Sequence, residues 1–132
     1  MATMTRTRPA AQAAAPLADA LERACTAART AAEDKGQSVL VLDMRPLTPI
    51  CDFLVIATGA SRRQMHAIAE DVDAEMARLG DRRRGIEGYE ASRWIVQDYG
   101  DVMMHVFDPA AREYYGLEEL WADAPRVDWE RV

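Results

Sequence analysis

The stretch Trp94-Ile95-Val96-Gln97-Asp98-Tyr99-Gly100-Asp101-Val102-Met103-Met104-His105-Val106-Phe107 reads as two strands folded back on each other. Apolar and β-favouring residues occupy alternate positions on both arms, and a polar Tyr99-Gly100 step separates them, as a short hairpin connection requires. Pairing Gln97 with Val102 predicts Trp94 across from His105 and Val96 across from Met103. Two faces follow, because successive side chains of a strand alternate. Arg93, Ile95, Gln97, Val102, Met104 and Val106 line one; Trp94, Val96, Met103, His105 and Phe107 line the other. Neither is the polar stripe expected where a sheet meets water, so both faces need cover. One cover is assigned to the chain's own helices at Leu17 and Ser61, and the other to a partner or a second copy.

The flanking sequence supplies those helices and further strands. From Leu17 to about Lys35, the residues Leu17, Ala20, Leu21, Ala24, Ala28 and Ala31 recur at helical spacing, and Gly36 is placed to stop the helix. Ser38–Met44 is a continuous apolar run that predicts a strand covered on both faces or central in a sheet; Pro46 and Pro49 break it. Phe53–Thr58 is a second such run. Ser61 with Gln64 forms a capping box, starting a helix that buries Met65, Ile68, Ala69, Val72, Met76 and Leu79 before Gly80. Gly85–Gly88 reads as a turn into the hairpin. After it, Asp108 and Pro109 open a short helix, Gly116 interrupts, and Leu117–Trp121 makes a last turn. The fold class is therefore α/β (α+β), one small domain with a mixed sheet and flanking helices. It spans residues 17–122, between a leader at 1–16 and an irregular acidic tail at 123–132.

Bulk properties narrow the function. A chain of 132 residues removes roughly two-thirds of its unfolded surface from water, enough for a core without staples. Cys25 and Cys51 are too few and too far apart for a disulfide framework, which points to a reducing, cytoplasmic setting. No apolar run is long enough to span a bilayer. The leader is rich in Ala, Thr and Arg without acids, matching a disordered extension better than a transit segment. Net charge is −6, and the stretch from Asp98 to Val132 holds nine acids against three bases. Such a surface repels phosphates and favours a basic protein partner rather than DNA.

Catalytic chemistry is hard to assemble from these residues. His66 and His105 have no spacing that gathers metal ligands, and Cys51 at a strand entrance reads as a buried thiol rather than a nucleophile. His105 lacks a nucleophile and an orienting acid, so it reads as a polar handle on an interaction face. Ser61, Arg62 and Arg63 at a helix start could hold a phosphate, but no Gly-rich cradle or Lys accompanies them, and a simple cap is preferred. Arg82-Arg83-Arg84 could touch nucleic acid, yet Asp81 and Glu87 flank it and no aromatics interleave, which favours a solvated loop. A strand followed by Gly59-Ala60-Ser61 and a helix also opens nucleotidyltransferase sites, which hold two magnesium ions on paired acids. Here Asp98 and Asp101 flank a turn, and Val102-Met103-Met104 supplies no acid.

Taken together, Asp52–Ser61, Ala67-Ile68-Ala69, Ile86-Glu87-Gly88, Trp94, Asp98–Val102, His105-Val106-Phe107 and Arg112–Trp121 resemble the ribosomal silencing factor family, RsfS or Iojap. The match runs in order from Asp43 to Trp121. Cys51 and Phe53 depart from it, where the family often has a more polar residue and a Tyr. The resemblance implies a nucleotidyltransferase-like layout without catalysis or cofactor. It further implies binding to the fourteenth protein of the large ribosomal subunit, which blocks joining of the small subunit and lowers translation when nutrients are scarce. Some members are dimers. The family's Trp, acidic turn and His-Val-Phe strand fall on Trp94, Asp98, Asp101 and His105; with Met103 these are the expected partner-binding residues. A Trp- and Met-containing face ringed by acids suits a basic protein. The alternative function is a nucleotidyltransferase-like enzyme or nucleotide binder using Ser61 and its arginines.

Overall fold

The computed structural model describes residues 16–131, so the expected leader lies, apart from Pro16, outside the described residues. The elements run α1 (Ala20–Glu33), β1 (Gln37–Asp43), β2 (Phe53–Thr58), α2 (Arg62–Arg78), β3 (Gly85–Glu87), β4 (Trp94–Asp98), β5 (Val102–Phe107), α3 (Pro109–Tyr115) and α4 (Leu117–Leu120). The strands form one mixed sheet in the order β1-β2-β5-β4-β3. Only β2 and β5 run parallel. Every residue of β2 is buried, which is why Phe53–Thr58 carries no polar alternation.

The hairpin forms with a shifted register. Trp94 pairs with Phe107, Val96 with His105 and Asp98 with Met103, so each partner lies two residues from the expected one. Gly100 explains the shift: its φ of +81° is a backbone conformation few other residues adopt, and it fixes the turn at Tyr99–Val102. The Tyr99 N–H donates to the Val102 carbonyl (3.0 Å), and the Gly100 N–H donates to Asp98 Oδ1 (2.8 Å). A two-residue shift preserves both faces, because the side-chain period is two.

The Ile95 face lies beneath α1 and α2. Ile95, Met104 and Val106 are fully buried there against Ala24, Ala28, Ile68 and Val72. Alanines along α1 let its backbone approach the sheet closely, while Leu17 and Leu21, expected in the buried stripe, are exposed. Arg23 is buried instead. Its guanidinium donates to Asp81 Oδ2 (2.6 Å) and Asp101 Oδ2 (3.0 Å), and its Nε to the Ala18 carbonyl (2.8 Å). That network ties the first turn of α1 to the loop after α2 and to the hairpin turn. Gln97, also fully buried on this face, donates from Nε2 to the Ala69 carbonyl of α2 (2.9 Å).

Three further expectations change. The left-handed residue ending α1 is Lys35, with φ of 68°, and Gly36 follows it; a side chain at Gly36 would meet the Ala31 carbonyl. Gly85–Glu87 is an edge strand rather than a turn. β1 is the opposite edge rather than central, and its apolar character is explained by the tail. The Asp43 N–H donates to the Pro125 carbonyl (2.8 Å), the Val127 N–H to the Val41 carbonyl (2.9 Å), and Trp129 Nε1 to the Val39 carbonyl (3.1 Å). The tail has little regular structure, yet it covers an edge that would otherwise present free ladder groups.

Both expected caps are present. Ser61 Oγ accepts from the Gln64 N–H (3.1 Å), and Gln64 Oε1 accepts from the Ala60 N–H (2.5 Å). Asp108 Oδ1 accepts from the Ala111 N–H (2.6 Å), and Pro109 takes the first helical position, where no N–H is needed. Gly116, with φ of 53°, separates α3 from α4.

Candidate interaction surface

The Trp94 face has thinner cover. α3 and α4 contribute seven and four residues, and with the tail they bury only one end of it. Phe107, Leu54 and Ile56 pack there with Ala111, Leu117 and Ala124, whereas Trp94, Met103 and Trp121 remain half-buried. Val96 and Asp98, further along β4, are half-buried as well. α3 is too short to turn its whole surface inward, so Tyr114 and Tyr115 stay 82% and 51% exposed.

These rings meet. Trp94 stacks on Phe107 at 5.0 Å between centroids and lies 4.6 Å from the Tyr115 ring, and Tyr115 meets Tyr114 edge-on at 5.0 Å. Arg93, Trp94, Ala111, Tyr114 and Tyr115 line an open groove of about 260 Å³. Aromatic rings with one buried edge and one wet edge offer large contact area at little conformational cost, a property of anchor residues in protein interfaces.

His105 lies under this groove rather than on it. It is 7% exposed, and its Nδ1 accepts a hydrogen bond from Trp94 Nε1 (3.0 Å). Nδ1 is thus unprotonated and the ring's proton sits on Nε2. Burial pushes the imidazole pKa down to about 4, so it is neutral at physiological pH. A neutral, buried imidazole orients the Trp94 indole; it is not a surface handle.

The five expected binding residues therefore separate. Trp94, Met103, His105 and Asp98 share one face, with His105 beneath and Asp98 accepting from its own turn. Asp101 sits in the hairpin turn and is held by Arg23, its side chain half exposed. Tyr114 and Tyr115, which line the groove, are absent from the expected set. The signal lay in Asp108-Pro109 followed by a Gly seven residues later, which sets a helix of two turns with little capacity to bury both rings.

The alternative site has different geometry. Ser61 Oγ is committed to its capping bond, and Arg62 donates to the Glu90 carbonyl (2.7 Å) and to Glu90 Oε1 (3.3 Å). Of the two acids flanking the hairpin turn, Asp98 ends β4 and Asp101 lies off the strands, tied to a buried guanidinium. Among the described residues no group of three or more His, Cys, Asp or Glu side chains is placed to hold a metal ion. Cys51 is buried, and burial raises its thiol pKa, which disfavours the nucleophilic thiolate. No helix among the described residues is long and apolar enough to cross a membrane.

The chain is a small α+β domain whose five-stranded sheet carries an aromatic groove on one face. Comparison with known proteins gives this domain a family. The family described as "Ribosomal silencing factor during starvation" matches residues 17–132, and the chain belongs to this family of ribosome-associated regulators. The ribosomal silencing factor RsfS of Halalkalibacterium halodurans is 41% identical over 100 residues, covering 76% of this chain and 86% of that one. A crystal structure of a Chromobacterium violaceum protein superposes with a TM-score of 0.77 at 35% identity, covering 80% of this chain and 88% of that one. A mouse protein named for mitochondrial assembly of the ribosomal large subunit is 30% identical over 92 residues, covering 67% of this chain and 40% of its own length.

Proposed function

We propose that this chain is a cytoplasmic translational repressor that binds the large ribosomal subunit and blocks joining of the small subunit when nutrients are limiting. The supporting observation is the Trp94–Tyr115–Tyr114 groove on a sheet face that the short α3 and α4 leave partly open. The fourteenth protein of the large subunit is the proposed docking site, reached through Trp94, Met103 and the two tyrosines, with Asp98 at the border. The acidic C-terminal third favours encounter with a basic protein. The mouse relative's name carries the same large-subunit association. Repression is steric: a domain of this size seated on the joining surface excludes the other subunit without any bond being made or broken. In the free protein the same groove accommodates a second copy, so dimerisation and subunit binding compete.

The test is co-sedimentation with purified large subunits on sucrose gradients, followed by addition of small subunits. Wild-type protein is expected to travel with large subunits and to reduce joined ribosomes. Trp94→Ala combined with Tyr114→Ala is expected to lower affinity by about 30-fold or more, as loss of aromatic anchors does. Undiminished binding by a folded double variant would remove the groove from the interface. Absence of wild-type binding would refute the function itself.

A further inference from the structure

Arg82-Arg83-Arg84 is the densest run of positive charge in a chain of net charge −6. A neutralising acid on each side would make it an ordinary solvated loop, and the structure removes the nearer one. Asp81 is 6% exposed and turned inward, where its Oδ2 accepts from Arg23 Nη1 at 2.6 Å. Its charge is therefore matched inside the protein and does little to cancel the arginines outside. Arg83 stands 3.8 Å from Asp73, a loose contact. Arg82 and Arg84 are exposed and make no ion pair among the described residues.

The loop is also held in place. The buried Arg23–Asp81 pair anchors its start, and the Arg84 N–H donates to the Asp98 carbonyl (2.7 Å) at its end. The Arg84 guanidinium lies across Gly100, in space that any side chain at that position would fill. With Leu17, Gly80 and Asp81, whose carboxylate is paired with Arg23, the three arginines border an open trough of about 500 Å³. Anchoring lowers the ordering cost of binding, and the planar guanidinium fork matches the oxygens of a phosphate.

We propose that this loop binds the phosphate backbone of RNA, namely ribosomal RNA beside the protein docking site on the large subunit. The inference rests on the large-subunit reading above and adds a second class of contact to it. A basic protein partner is complementary to the acidic C-terminal third but repels three arginines, whereas RNA is complementary to the arginines and repelled by the acids. A ribosomal surface presents both chemistries side by side. No aromatic lines the trough, so the contact reads backbone charge rather than base identity.

The experiment titrates purified large subunits with wild-type protein and with Arg82→Gln/Arg84→Gln over a series of potassium chloride concentrations, in parallel with the isolated fourteenth protein. Both replaced side chains are exposed and outside ion pairs, so the variant's thermal midpoint should match wild type. Expected is a several-fold loss of subunit affinity at low salt and a log affinity–log salt slope shallower by about two, near one counterion per lost phosphate contact. Affinity for the isolated protein should be unchanged. An unchanged slope and affinity on subunits would overturn the RNA contact while leaving subunit binding intact. Equal loss against the isolated protein would overturn it by assigning the arginines to a protein interface. Failure of wild type to bind subunits at all would overturn both readings together.

Discussion

The two faces of one hairpin have similar apolar composition and different fates. On the Ile95 face, side chains meet two long helices and disappear from solvent; even Gln97 is fully buried and hydrogen-bonded to α2. On the Trp94 face, two short helices and a tail cover one end and leave Trp94, Val96 and Met103 half-buried. Apolar content alone does not mark a core. The length of the covering element decides whether an apolar row becomes stabilising interior or remains available to another molecule.

The sharpest challenge to that contrast lies beneath the helix-covered side, at Arg23. Replacing it with Ala leaves Asp81 buried without its partner and frees Asp101, at an expected cost of about 3–5 kcal/mol in urea unfolding. A cost below about 1 kcal/mol would mean that the network is not what fastens α1 to the hairpin turn. Neighbouring residues give a direct comparison of the faces. Ile95→Ala should cost about 2–5 kcal/mol, since it opens a cavity under α1 and α2, whereas Val96→Ala should cost less than about 1.5 kcal/mol. Equal values would erase the distinction between the faces.

His105 allows a finer measurement. Its buried imidazole is expected to titrate at about pH 4 by NMR. The unfolded chain binds a proton at this residue near pH 6.5, so between about pH 6.5 and 4 it holds more protons than the folded one. The stability contributed by neutral His105 is present above that window and is lost as pH falls through it. Trp94→Ala exposes the ring to water and should raise its pKa toward the ordinary value. An unshifted titration would show that strands and α3, not the indole, keep water from His105.

Much of this was legible in the residues. Alternation assigned the side chains of β4 and β5 to their correct faces even though the pairing register was two residues off, because both registers have the same parity; Arg93, just before β4, lines the Trp94 groove instead of the Ile95 face. The Ser61-Gln64 box and Asp108-Pro109 located helix starts, since capping is chemistry among neighbours. The site was only partly legible. Trp94 and Met103 lie half-buried on the open face, but His105 is buried and Asp101 is tied to α1, and nothing local to the hairpin reports either.

Local chemistry in the sequence was sufficient for the type of every element but the short edge strand Gly85–Glu87, for the caps, the two strand faces and the resemblance to a ribosomal silencing factor. Which face received the helices depended on tertiary structure, because both are apolar and alternation is symmetric between them. So did the edge position of β1, covered by backbone bonds from Pro125 and Val127, the inward turn of Asp81 and the tie of the half-exposed Asp101 to Arg23. Arg23 reaches those acids across 58 and 78 residues of chain. Contacts at such separations have no periodic signature, and only the closed fold brings their charges together.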